Sequence, residues 1–145
     1  MQIKISPMSK NDLLQIKDIL NDKFDNFWNY NILYKELENI NSTYLVAKSD
    51  NEIWGFGGIW KSTDDIHLTN IVTRIDKRNL GIATLILTHL IKISKNEHFS
   101  SLTLEVNEKN INAIKLYEKF NFKKLGKRKN YYSQNENAII MTLFF

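Results

Sequence analysis

The chain reads as an α/β protein built on one mixed β-sheet of about seven strands with helices on both faces. Three features of the sequence predict this. Residues 66–95 and 101–119 each run from an apolar, strand-like segment through a turn into a helical stripe, giving the order strand, helix, strand, helix. Residues 44–61 alternate on either side of Asp50-Asn51, a hairpin signal. Two more strand-like segments, near 122–130 and 138–145, close the chain.

Taken in order, Ile3 and Ile5 alternate as an opening strand, and Pro7, the single proline, sits where that strand hands over to a helix. Ser9 to Asp12 has the pattern of a capping box ahead of Leu13, Leu14, Ile16, Ile19 and Leu20, which form one helical stripe. A second short helix is expected over 31–40. Strands follow over 44–48 and 53–61, and the second contains Gly55, Gly57 and Gly58, glycines that suggest a bulge or a close backbone approach. The next strand covers 66–73 and feeds a long helix over 81–95, whose apolar face is Ile82, Leu85, Ile86, Leu90 and Ile93. His89 interrupts that stripe and reads as a hydrogen-bonded histidine at the core edge. A strand over 101–106 and a helix over 111–119 complete the pattern before the final pair of strands. No linker, repeat or low-complexity tract breaks the sequence, so one domain is expected over 1–145.

Composition narrows the function. At 145 residues, 17.1 kDa and 43% hydrophobic content the chain can bury a real core. No apolar stretch approaches the roughly 18 residues of a membrane span, and the opening residues lack the apolar core of a signal peptide. A cytoplasmic protein without a membrane partner is expected. Zero cysteines exclude a disulfide framework and a thiol nucleophile, and three scattered histidines have no metal-ligand spacing, so no metal is expected. The net charge of +4 and pI near 9.2 favour anionic partners such as nucleotide phosphates or a ribosomal surface. Lys123, Lys124, Lys127, Arg128 and Lys129 form the densest basic run, read as a solvated face; no specific nucleic acid is expected.

The stretch from Asn70 to Thr84 carries the most chemical information. An apolar strand passes through a short basic turn containing Gly81 straight into a helix. The first amides of that helix have no intrahelical partner and, with the helix dipole, can hold a phosphate, while Gly81 and Ala83 keep side-chain bulk away. The pattern is Arg78-x-x-Gly81-x-Ala83. It lacks the third glycine of a dinucleotide fingerprint and the Gly-Lys-Ser/Thr of a P-loop. The second strand and helix contain Asn110-x-x-Ala113-x-x-Leu116-Tyr117.

Together these two motifs resemble those of the GCN5-related N-acetyltransferase (GNAT) superfamily, whose acetyl-CoA loop has the form Gln/Arg-x-x-Gly-x-Gly/Ala. Within it the chain most resembles the ribosomal-protein-alanine N-acetyltransferases, the RimI group. Leu104-Glu105-Val106, Arg128-Lys129-Asn130-Tyr131-Tyr132 and Ala138-Ile139-Ile140-Met141 support the likeness, which is specific from Asp65 to Met141 and loose before it. The resemblance implies a fold with splayed central strands and acetyl-CoA as donor. It also implies cofactor contacts along the backbone of Ile71, Val72 and Thr73, at Arg78, Asn79, Leu80, Gly81, Ile82, Ala83 and Thr84, and at the side chain of Asn110. By position alone Asn110 is a helix cap, a role compatible with that contact.

Acetyl transfer to an amine needs a group that takes a proton from the amine and one that protonates the departing thiolate. Glu105, set among Leu102, Leu104 and Val106, would be partly buried, and burial raises a carboxyl pKa above its usual value of about 4.3. The RimI-type arrangement implies it as general base, directly or through a water. Tyr117, by composition a core aromatic, is implied as the general acid. Tyr131, with Tyr132 beside it, resembles the aromatic wall flanking the peptide in relatives; Trp28 and Trp60 could help it, the other role for each being buried packing. The implied acceptor is the N-terminal α-amine of a protein, in that group the N-terminal alanine of ribosomal protein S18. A small amine such as a polyamine or an amino sugar is the alternative, and a non-catalytic acyl-CoA or RNA-binding module a third. The chain departs from the family at Asn79-Leu80, at Asn107 after Glu105-Val106, at Asn121-Phe122 in place of Gly-Phe, and at Asn137 in Glu136-Asn137-Ala138. Asn121 is expected to take the left-handed turn a glycine would.

Overall fold

The computed structural model of the chain describes residues 2–24 and 28–145. Its strands are β1 (Lys4–Pro7), β2 (Ser42–Ser49), β3 (Glu52–Lys61), β4 (Ile66–Thr73), β5 (Ser101–Asn107), β6 (Lys123–Ser133) and β7 (Glu136–Phe144). They form one sheet in the order β1-β2-β3-β4-β5-β7-β6. All neighbours are antiparallel except β4 and β5. That parallel pair touches at only two positions, His67↔Thr103 and Leu68↔Leu104, and then the strands part.

The helices are α1 (Lys10–Gln15), α2 (Leu20–Lys23), α3 (Tyr30–Glu38), α4 (Ile82–Asn96) and α5 (Ile111–Lys119). Helices α4 and α5 cover one face of the sheet. Ile82, Ile86, Leu87 and Leu90 of α4 and Ile114 and Tyr117 of α5 share a core with Leu68, Leu102, Leu104, Val106 and Met141. The other face packs against the N-terminal helices, where Leu13, Ile16, Leu20, Phe24 and Leu33 meet Val46, Phe56 and Val72. Burying such side chains contributes roughly 1.5–3 kcal/mol each, so these two layers carry the fold.

Local chemistry explains the boundaries. Ser9 Oγ accepts from Asp12 N at 3.0 Å while Asp12 Oδ2 accepts from Ser9 N at 2.9 Å, the capping box expected before α1. The single helix expected across 13–20 is instead broken. Helix α1 stops at Gln15, Lys17–Ile19 form a 3₁₀ turn, and α2 adds one more turn. The break keeps Leu13, Ile16 and Leu20 buried and leaves Leu14 exposed. Asp50 and Asn51 both take positive φ, as a tight hairpin turn needs, and Asn121 stands at φ 71° in the left-handed conformation expected of it. Between β3 and β4, Gly58 faces Asn70 but Ile59 faces Leu68, so Thr69 is an extra, bulged residue. Gly57 permits the close approach of α4, since a Cβ there would lie 2.9 Å from Ile86 Cγ2. His89 bonds Leu85 O at 2.9 Å but is exposed, outside the core edge. No helix among the described residues is long and apolar enough to cross a membrane.

Candidate active site

Where β4 and β5 part, they open a cleft of about 660 Å³. Leu68 to Val72 form one wall and Leu104 to Asn107 the other, and Asn110 at the N-cap of α5, Ala113 and Tyr117 within it, and Tyr132 complete the lining with Lys109 and Glu136. A second cavity of about 350 Å³ adjoins it, lined by Trp28, Trp60, His67, Tyr131 and Tyr132. The two share Leu68, Thr69, Leu104, Glu105 and Tyr132, so Glu105 is the one carboxylate that faces both.

Strand alternation puts it there. Leu102, Leu104 and Val106 point into the α4-side core, and Thr103, Glu105 and Asn107 therefore point to the opposite face. The Glu105 side chain is 23% exposed, and its Oε2, hidden from water, has no hydrogen-bond partner. Arg128 Nε lies 3.5 Å from that oxygen, a charge contact too long for a good hydrogen bond. Arg128 in turn lies over the Tyr131 ring, 5.6 Å from its centroid.

Tyr117 is buried, and burial first, then the neighbouring Tyr132, pushes its phenol up to about 12. Its ring meets Phe122 at 5.6 Å. Tyr132 is likewise pushed up to about 12, by burial, Tyr131 and Glu105 in that order. Asn110 lines the cleft and caps α5, its Oδ1 accepting from Ala113 N at 3.2 Å, so both roles expected of it are compatible with the geometry.

Beyond the end of β4 the chain forms a 3₁₀ turn (Ile75–Lys77) and then the exposed loop that opens α4. Gly81 is the N-cap with φ 83°, and no side chain caps the helix. The amides of Ile82, Ala83 and Thr84 thus keep their donors for an anion. This loop suits a phosphate tail and the cleft suits an extended arm, the two parts of a coenzyme A-type donor. Ile71 and Val72 line the cleft, Thr73 ends the strand, and Arg78, Asn79, Leu80 and Gly81 are exposed beyond it.

Several contributors were not evident from the sequence. Arg74 is buried and anchors the loop: its Nε donates to Asp76 Oδ1 at 2.7 Å and its Nη2 to Glu52 Oε1 at 3.0 Å. His67 lines the second cavity beside Trp28 and Trp60, which the sequence offers as packing residues or as helpers of Tyr131 and which are half-buried. Asn70 lines the cleft, and its carboxamide has no partner. An asparagine within a strand otherwise rich in β-branched residues (Ile66, Thr69, Ile71, Val72, Thr73) was the available signal, since asparagine is depleted in strands.

Residues 13–122 match the model of the Acetyltransferase (GNAT) family. A Bacillus subtilis protein that carries the name putative ribosomal protein bS18-alanine N-acetyltransferase is 34% identical over 92% of this chain and 90% of its own length. An N-alpha-acetyltransferase of Saccharolobus solfataricus is 45% identical over 44% of this chain, a match that spans only 39% of that enzyme's length. The crystal structure of the ribosomal-protein-S18-alanine N-acetyltransferase from Escherichia coli has a TM-score of 0.88 at 26% identity, covering 99% of this chain and 94% of that one.

Proposed function

Because this chain belongs to the GNAT family of acetyltransferases, we propose that it transfers the acetyl group of acetyl-CoA to the α-amine at a protein N-terminus. A substrate of the ribosomal protein S18 type fits this reading. The observation that carries it is the position of Glu105 where the donor-sized cleft meets the ring-lined cavity.

In this reading the amine lone pair attacks the thioester carbon and the carbon–sulfur bond breaks. Glu105 takes the proton that the amine loses, directly or through a water, and Tyr117 offers its O–H to the departing sulfur. A phenol pushed up to about 12 is a weak acid, so its contribution is a hydrogen bond that strengthens as charge builds on the sulfur, with the proton following. Partner choice follows from acidity. An α-amine has a pKa near 7.7–8.0 and a lysine near 10.4, so at neutral pH the reactive fraction of the former is a few hundred times larger, roughly. One carboxylate base suits it, and the rings of Tyr131, Trp28 and Trp60 suit the residues that follow a peptide's first.

The test is release of free thiol from acetyl-CoA with a panel of alanine-initiated peptides, lysine peptides and polyamines. We expect the N-terminal peptides to be preferred, and Glu105→Gln to lower turnover roughly 100- to 10,000-fold with little change in coenzyme A binding. Wild-type turnover by that variant would end the assignment of the base, and preference for polyamines would move the protein to small-amine acetylation.

A further inference from the structure

Among the described residues, three buried side-chain nitrogen or oxygen atoms have no hydrogen-bond partner: Asn70 Nδ2, Asn70 Oδ1 and Glu105 Oε2. Folded proteins seldom leave such atoms without a hydrogen bond, because each loses its water without regaining one, and Glu105 Oε2 has only the long charge contact to Arg128 at 3.5 Å. Here all three belong to two residues on the strands that part, and both residues line the same cleft. The last paired position is Leu68↔Leu104, so Asn70 and Glu105 stand two residues and one residue beyond the apex. They also share a face. Glu105 points away from the α4-side core, and the bulge at Thr69 resets the alternation of β4, so that Asn70 lies on the same side as Val72, which packs against the N-terminal helices.

The unpaired set demands two donors and one acceptor from a ligand, and exchanging N and O of the carboxamide leaves the demand unchanged. A neutral α-amine has two N–H groups and a lone pair, and the carbonyl oxygen of its own residue lies three bonds from the nitrogen. A lysine side chain or a polyamine offers no acceptor at that distance. We propose that Asn70 recognises the α-amino-acyl end of the acceptor, Oδ1 accepting from the attacking amine and Nδ2 donating to the first carbonyl, while Glu105 engages the other N–H. This rests on the α-amine reading above and makes Asn70 the residue that selects an amino-acyl terminus over lysine side chains and polyamines.

The test compares kcat/KM for an alanine-initiated peptide with that for the same peptide whose first carbonyl is reduced to a methylene, using wild type, Asn70→Ala and Asn70→Leu. The KM for acetyl-CoA and the melting temperature of each free protein are measured alongside. Both variants should lose roughly 10- to 100-fold on the intact peptide and much less on the reduced one, so the ratio between peptides shrinks by about tenfold or more. KM for acetyl-CoA should stay within about twofold although Asn70 lines the donor cleft, because the donor contacts expected along β4 are to its backbone, which the substitutions leave in place. Asn70→Leu should melt no lower than wild type, since it removes unpaired polar atoms at similar volume. An unchanged ratio, equal losses on both peptides or a weakened donor would overturn the role of Asn70 while leaving the peptide reading standing. If wild type instead prefers lysine peptides or polyamines, the reading of the acceptor falls and this selection falls with it.

Discussion

A phenol hidden from water holds its proton more tightly than one in solution, and Tyr117 combines that burial with a place on the cleft wall. Being pushed up to about 12, it stays protonated across the whole working range. In the proposed reaction the protonated form is the active one, so activity would fall only as pH rises through that value. The pH profile of kcat should therefore show no alkaline limb from this group below about pH 11. Tyr117→Phe should cut kcat roughly 100-fold or more while preserving the shape of the profile in that range. A limb near pH 9 that disappears in Tyr117→Phe would contradict the assignment, and stopped-time thiol assays from pH 6 to 10.5 would reveal it. The neighbouring Tyr132, equally pushed up, adds no limb of its own in that interval.

At the scale of elements, the loop between β4 and α4 depends on a residue that touches no proposed ligand. Arg74 joins Asp76 in the 3₁₀ turn to Glu52 at the start of β3, and Glu52 also accepts from Trp54 Nε1 at 2.7 Å. Its amide is held too, by Trp54 O at 2.8 Å. Arg74→Met keeps the stem and removes the fork. We expect the KM for acetyl-CoA to rise several-fold, roughly 3- to 10-fold, with kcat at saturating donor near wild type, because the loop is disordered but its amides remain. Steady-state kinetics with varied acetyl-CoA would check it, and a fall in kcat alone would count against it. Sequence spacing made most of this element legible: the strand, Gly81 and the helix stripe could all be read from residue types. Arg74 could not, since a basic residue after a strand looks the same whether it meets solvent or two carboxylates. The broken first helix was hidden for a related reason. Leu13, Ile16, Leu20 and Phe24 keep a helical spacing, and the packing of those side chains against Val46 and Phe56 belongs to tertiary structure. Asn70 and the second cavity depend on the bulge at Thr69 and on the register of β3, neither of which a periodicity of two encodes.

For the whole molecule, the sheet is two units that share little edge. Strands β1 to β4 form one and β5, β7 and β6 the other, and the backbone pairing between them is the short contact at His67–Leu68 with Thr103–Leu104. On one face α4 spans the junction, contributing Ile86 and Leu90 to a core that reaches from Leu45 on β2 to Met141 on β7. On the other face the N-terminal helices pack on β2 to β4, and the cleft stays open above β5. A donor lying between β4 and β5 would supply the contacts that the parting strands do not make to each other, so binding should stabilise the entire fold. With coenzyme A at 100 times its Kd, linkage gives about 2.7 kcal/mol, or roughly 5–10 °C in melting temperature for a chain of this size. Hydrogen exchange should slow most at the amides of Ile71 to Thr73 and Glu105 to Asn107, beyond the last strand pair, and least at the outer strand β6. A thermal scan with and without coenzyme A, followed by exchange at the same saturation, tests both. A shift in melting temperature with protection confined to the 78–84 loop would place the donor's tail correctly but leave its reactive arm outside the cleft, and the proposed meeting of thioester, Glu105 and Tyr117 would then fail.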